Sequence, residues 1–211
     1  MKISVIMPVY LGPYPGQTNN PKVKFIRAVD SFLAQTHKES ELIVASDGCS
    51  ESIRILEQNQ QYSKHLKTGK IRLLKLPRHE LFTGSVRQTA INEATGEILC
   101  NLDSDDQFLP NHLYNLNLAF NTKDFDWVYF NLYRKLDNLV GVEEIVTTFP
   151  DLDSLCTASV AWKRGLDVTW IGADGRQDNK AFNKQLLDKY PKRTKIYGAG
   201  YIISHANFKI A

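Results

Sequence analysis

Three carboxylates fall within four positions of CNLDSDDQFLP, the stretch from Cys100 to Pro110: Asp103, Asp105 and Asp106. Like charges this close repel, and a hard divalent cation with oxygen ligands relieves the repulsion. Mg²⁺ or Mn²⁺ takes one or two carboxylates and completes its shell with phosphate oxygens and water. Alternate side chains of an extended chain point the same way, so Asp103 and Asp105 share a direction. Aspartate is also common in plain polar turns. Here, though, the acids directly follow the apolar run EILCNL. A calcium loop does not fit, because Gln107 and Phe108 stand where its fifth and sixth positions need an Asx and a glycine.

Such acids need elements to position them. KISVIMPV, ELIVAS, KIRLLKL, EILCNL and WVYFNLY read as short apolar strands. Between them lie helical patterns: Phe25, Ala28, Val29, Phe32 and Leu33; a segment near 51–60; Val86, Ala90, Ile91 and Ala94, stopped at Gly96; and NHLYNLNLAF. Strands alternating with helices predict an α/β fold with a Rossmann-like, mostly parallel sheet flanked by helices. Ligands of such sheets bind outside the carboxyl ends of the strands. Pro8, Val9 and Tyr10, then Asp47-Gly48, then Asp103 to Asp106 all fall at those ends and should converge on one crevice. Beyond about residue 133 the pattern weakens to a predicted strand at CTASVAWKR, a helix at QDNKAFNKQLLDKY and one or two strands in KIYGAGYIISH. A single domain over 1–211 is expected, in which a smaller portion at 111–211 packs on residues 1–110.

Composition narrows the partners. A formal charge of +3 over 211 residues argues against nucleic acid. Cys49, Cys100 and Cys156 are odd in number and widely spaced, which fits a reducing compartment. No window reaches the ~18 apolar residues of a membrane span. The expectation is a cytoplasmic protein, with peripheral association at a membrane surface left open.

ISVIMPVY, ELIVASDGCSE, SVRQTAINEATGEILCNLDSDD and YIISHAN, in this order, resemble a family 2 glycosyltransferase of the GT-A fold. The likeness is dense over about 1–110 and looser beyond. It implies transfer of a sugar from a nucleotide diphosphate donor, UDP foremost, to a hydroxyl of a glycan, lipid-linked or protein acceptor. It also implies inversion at the anomeric carbon, and Mn²⁺ or Mg²⁺ at the DXD-type acidic motif. By the same resemblance Pro8, Val9 and Tyr10 line the base and Asp47 meets the base edge. Ser46 stands where the family usually has a first acid. Arg87 approaches the pyrophosphate or holds the acidic cluster. Asp105 and Asp106 are the metal ligands expected, Asp103 faces the ribose or supports them, and His205 is a third ligand. Asp178 is the expected base for the attacking hydroxyl, with Asp174 as its alternate. Trp162 and Trp170 offer either a sugar-stacking wall or core packing. A haloacid dehalogenase-type phosphatase fits poorly, because Gln107 replaces the Thr or Val of its DxDx[TV] motif. Two other readings stay open: a non-catalytic nucleotide-sugar or glycan-binding domain, and a nucleotidyltransferase.

Overall fold

In β1 (Ile3–Val9) every residue is buried, and its side chains divide by parity. Ile3, Val5, Met7 and Val9 enter one core, while Ile6 enters the other. β2 (Ser40–Asp47) divides the same way, with Leu42 and Val44 on one face and Ile43 and Ala45 on the opposite face. Period-2 side chains buried on both sides require a covering layer on each face of the sheet.

The structure is a computed structural model and describes residues 1–14, 17, 19–79, 83–135, 143–170 and 179–204. The remaining strands are β3 (Ile71–Leu76), β4 (Ile98–Asn101), β5 (Gln107–Phe108), β6 (Trp127–Phe130), β7 (Leu132–Lys135), β8 (Glu143–Val146), β9 (Val160–Lys163), β10 (Arg193–Ile196) and β11 (Tyr201–Ile203). Helices are α1 (Pro21–Leu33), α2 (Ser50–Gln58), α3 (Gln60–Lys67), α4 (Thr83–Asn92), α5 (His112–Thr122) and α6 (Asn179–Lys189). A seven-stranded sheet runs in the order β10-β6-β9-β4-β1-β2-β3, and a second, four-stranded sheet in the order β5-β11-β7-β8. This is the mixed α/β fold that the alternating pattern predicts.

Helix periodicity sorts the covering layers. Phe25, Ala28, Val29 and Phe32 of α1, with Leu113, Leu116 and Phe120 of α5, fill the first core. Val86 and Ala90 of α4, with Phe182 and Leu186 of α6, fill the second. Each fully buried Phe or Leu contributes ~2 kcal/mol through removal of apolar surface from water.

Three features differ from the sequence expectation. WVYFNLY divides at Asn131 into β6 and β7, which belong to different sheets. Thr148 holds the break: its hydroxyl donates to the Phe130 carbonyl at 2.9 Å and its N–H donates to Asn131 Oδ1 at 3.1 Å. The helix expected near 51–60 is two helices, broken at Asn59, whose side chain accepts from Gln61 N at 2.9 Å and starts α3. Finally, β9 inserts antiparallel between β4 and β6, with Cys100 opposite Ala161 and Trp127 opposite Trp162.

At the amino end of the sheet a carboxylate is buried with its partners. Glu41 Oε1 accepts from Ser4 Oγ at 2.6 Å, Thr95 N at 2.9 Å and Thr95 Oγ1 at 2.7 Å. Lys2 and Arg72 stand 3.5 and 3.7 Å from Oε2. This satisfies the rule that buried charge is paired and hydrogen-bonded. The acidic run lies at the opposite, carboxyl end.

Candidate active site

β4, β1, β2 and β3 are adjacent and parallel, so their carboxyl ends open on one edge. Tyr10 follows β1, Asp47 closes β2, Arg78 and His79 follow β3, and Asp103 follows β4. The convergence expected from the sequence is therefore present for the residues that are described.

The β1–β3 side forms one cluster. Asp47 is 3% exposed. Its Oδ1 accepts from the backbone N of His79 at 2.7 Å and lies 3.1 Å from His79 Nδ1. Its Oδ2 accepts from the Arg78 guanidinium. That guanidinium also lies over the Tyr10 ring, 3.7 Å from its centroid. Gly48, at φ 61, makes the approach sterically feasible, because a Cβ there would stand 2.7 Å from Arg78 Cβ and 2.8 Å from Arg78 N. Of the three residues expected to line a base, Tyr10 is partly exposed, while Pro8 and Val9 lie buried inside β1. Asp47 does not cap α2, whose N-cap is Cys49.

The acidic side forms a second cluster. Arg87, on α4 and 7% exposed, donates to Asp103 Oδ1 at 2.5 Å. Its guanidinium stands 5.2 Å from the Trp170 ring centroid, and Trp170 stacks on Phe182 at 4.3 Å. Arg87 is thus paired with the first carboxylate of the acidic run. Arg27, on α1, donates to the Asp105 carbonyl at 2.7 Å. The Asp105 side chain is partly exposed. Burial first, and then the charges of Asp105 and Asp103, push the Tyr14 phenol above its ordinary range. Both carboxylates therefore act on one side chain at the mouth of the crevice.

Asp106 departs from its expected place among the metal ligands. It is fully buried. Its Oδ2 accepts from the Tyr201 hydroxyl at 3.0 Å and its Oδ1 accepts from Ser204 N at 2.8 Å. The backbone turns between Asp105 and Asp106, since Asp106 N donates to the Asp103 carbonyl at 3.1 Å. That turn sends the last carboxylate inward. Asp174, Asp178 and His205 lie outside the described residues. Trp162 and Trp170 are 2% and 1% exposed, which makes them core residues rather than an open stacking wall.

β9 brings the second half of the chain to this edge. Because it runs against β4, its amino end lies beside the carboxyl end of β4. The 3-10 turn Thr157–Ser159 thus borders the acidic run, and Asn101 Nδ2 donates to the Thr157 carbonyl at 3.2 Å. Burial, with Asp103 as a lesser cause, raises the pKa of the nearby Cys156 thiol.

Sequence reasoning missed Arg78, Tyr14, Arg27 and Tyr201. Arg78 had a usable signal: it lies two residues past a strand end on the ligand-binding edge. Arg27 and Tyr201 had none, because each meets the acids only through contacts distant in sequence.

Residues 4–150 match the model of glycosyl transferase family 2. The chain belongs to this family. Among relatives of this chain, an uncharacterized glycosyltransferase from Nostoc sp. is 27% identical over 208 residues, covering 96% of this chain and 58% of its own length. The putative colanic acid biosynthesis glycosyl transferase WcaA of Escherichia coli is 34% identical over 113 residues, 53% of this chain and 35% of its own. Staphylococcus aureus TarS, solved in complex with UDP-GlcNAc, matches at a TM-score of 0.74 and 17% identity, over 99% of this chain and 60% of that one. The mannosyltransferase PcManGT of Pyrobaculum calidifontis, solved with GDP-Man and Mn²⁺, matches at 0.63 and 14% identity, over 96% and 56%. Both likenesses establish the GT-A fold. This chain spans less than two thirds of each of these relatives. Among its described residues no helix is long and apolar enough to cross a membrane.

Proposed function

We propose that this chain transfers a glycosyl group from a nucleoside diphosphate donor, UDP foremost, to an acceptor hydroxyl with inversion at the anomeric carbon. The observation that carries this reading is the juxtaposition of the two clusters. Tyr10, Asp47 and Arg78 present an aromatic face, a carboxylate and a guanidinium at the ends of β1 to β3. Asp103 and Asp105 stand at the end of β4. A planar base with carbonyl and N–H groups on one edge suits the first cluster. Its diphosphate then reaches toward the second.

Among the described residues no group of three or more His, Cys, Asp and Glu side chains is placed to hold a metal. Two carboxylates, Asp103 and Asp105, stand at the end of β4, and Mg²⁺ or Mn²⁺ takes one or two carboxylates and fills its shell with phosphate oxygens and water. Asp105 is its protein ligand in this reading, with Asp103 fixed beside it by Arg87. When bound, the cation supplies charge neutralisation for the departing nucleoside diphosphate.

The rest is done by the chain. Tyr10 and Arg78 grip the base, and Asp47 accepts from its N–H. Asp178, or Asp174 in its place, takes the proton of the acceptor hydroxyl as the oxygen attacks the face opposite the diphosphate. A carboxylate placed within hydrogen-bond reach of that hydroxyl acts as its general base. As the new C–O bond forms, the bond to the β-phosphate oxygen breaks and its electron pair leaves with the nucleotide. The complexes of TarS with UDP-GlcNAc and of PcManGT with GDP-Man and Mn²⁺ support a sugar nucleotide as the donor class.

Thermal unfolding with UDP-, GDP- and dTDP-sugars, with and without Mn²⁺, tests the reading. At ~100-fold saturation a ligand stabilises by ~2.7 kcal/mol. The expected result is a Mn²⁺-dependent shift that is largest for a uridine donor. No shift with any of them overturns the donor site. Binding with no turnover across a broad acceptor panel selects a binding domain instead.

A further inference from the structure

Asp106 and Tyr201 are both fully buried beneath the acidic run, and the proposed chemistry uses neither. The Tyr201 hydroxyl accepts from Asp103 N at 3.0 Å and donates to Asp106 Oδ2 at 3.0 Å. The other oxygen of Asp106 accepts from Ser204 N at 2.8 Å, and the Ser204 carbonyl accepts from Lys24 Nζ at 2.7 Å. One phenol thus joins both ends of the turn that carries Asp105. One carboxylate joins that turn to the end of β11, and a buried lysine of α1 anchors the joint.

The surroundings fix the phenol. Tyr201 pairs with Phe108 across the β5–β11 ladder, and their rings meet edge to face at 5.5 Å. Gly200 lies against Leu109, where a Cβ would stand 2.4 Å from Leu109 Cβ, while Leu109 N donates to the Gly200 carbonyl at 2.7 Å. The strand therefore has no room to slide. A turn whose ends are tied to a rigid strand presents its middle residue in a single orientation, and Asp105 is that residue.

We propose that Tyr201 and Asp106 form a positioning clamp, which shapes the Asp103–Asp106 turn so that Asp105 faces the cation and diphosphate. The clamp rests on the donor-site reading, but its own geometry is independent of any ligand. Asp106 in this role is a joint inside the protein and not a ligand.

Two variants and a control test the clamp. Tyr201→Phe removes the shared hydroxyl and keeps the ring. Asp106→Asn reports on the same joint should the first variant fail to fold. Tyr62→Phe is the control: it deletes another buried phenol hydroxyl, which donates to Asp30 Oδ1 at 2.9 Å between α3 and α1. The measurements are calorimetric titration with Mn²⁺ plus UDP, and amide hydrogen exchange at Asp103 and Ser204 without ligand. Expected are a 10-fold or greater loss of affinity and faster exchange at both amides in the clamp variants, with neither change in the control. Wild-type exchange at these amides, or affinity matching wild type, in a folded clamp variant overturns the clamp. An equal loss of affinity in Tyr62→Phe also overturns it, because the effect would then be general loosening. A wild-type protein that binds no Mn²⁺–UDP overturns the donor reading instead, and the exchange rates still decide whether the turn is clamped.

Discussion

At the scale of single residues, the acidic run divides by burial: Asp103 and Asp105 are partly exposed, while Asp106 is fully buried against Tyr201. Asp105→Asn should therefore abolish the Mn²⁺-dependent thermal shift and leave the ligand-free Tm within a few degrees, as measured by differential scanning fluorimetry. Arg78→Ala should weaken UDP binding about 10-fold, or ~1.4 kcal/mol, because it removes a stacking cation and leaves a buried carboxylate short of a partner. A nucleotide titration reads this directly. His112 is a different case. It is fully buried, stacked on Phe108 at 4.1 Å, and neither ring nitrogen has a hydrogen-bond partner among the described residues. Burial pushes its pKa down to about 3. The unfolded imidazole protonates near ~6.5. The unfolded state therefore binds the extra proton between these values, and stability falls as pH drops from about 6.5 toward 3. His112→Phe should stabilise by ~1–3 kcal/mol, the cost of an unsatisfied buried polar group. Urea unfolding should show a larger gain at pH 5 than at pH 7.

At the scale of elements, what could be read from sequence tracks how local the signal is. β1, β2 and β4 were legible because each is an apolar-rich run buried on two faces, and β3 because its apolar residues cluster in a short run. α1, α4 and α5 were legible because their apolar residues recur at helical spacing. α3 was not, since Tyr62 is its sole buried side chain. β5 has only two residues and no periodicity to show. The direction of β9 is set by its neighbours β4 and β6, which no local pattern records. The same division applies to the site. Tyr10, Asp47 and Asp103 could be placed on the carboxyl edge because strand ends mark them. The inward turn of Asp106 was not, because it depends on Tyr201, 95 residues later. The β2–α2 connection offers a test at this scale. Gly48→Ala forces a side chain into a left-handed backbone against Arg78. It should lower stability by ~1–2 kcal/mol and weaken UDP binding by displacing Arg78. Denaturant midpoints and nucleotide titrations measure the two effects separately.

At the scale of the whole molecule, the two ends of the sheet have opposite tasks. The carboxyl end leaves Asp103 and Asp105 partly exposed, and the amino end closes a carboxylate in. Hydrogen bonds from Ser4 and Thr95 and the charge of Lys2, working against burial, hold Glu41 below the ordinary carboxylate range. A depressed carboxyl contributes stability that is present above its unfolded pKa, near ~4.5 or slightly lower. That contribution is lost as pH falls through the folded value. The acid limb of stability should thus have two parts, one from His112 below about pH 6.5 and one from Glu41 that sets in below about pH 4.5. Glu41→Gln should flatten only the second part in a pH series of urea midpoints.

β9 also welds the halves of the chain together, because β4 from the first half pairs with it and it pairs with β6. The chain has three tryptophans. Trp127 and Trp162 face each other across that weld, and Trp170 packs beneath Arg87, all within the same one of the two cores. Intrinsic fluorescence of this molecule is therefore one-sided. Emission will follow the α4–α6 face and the Arg87 end of the acidic run, while α1, α5 and the Tyr201 clamp on the other face change without a tryptophan beside them to report it.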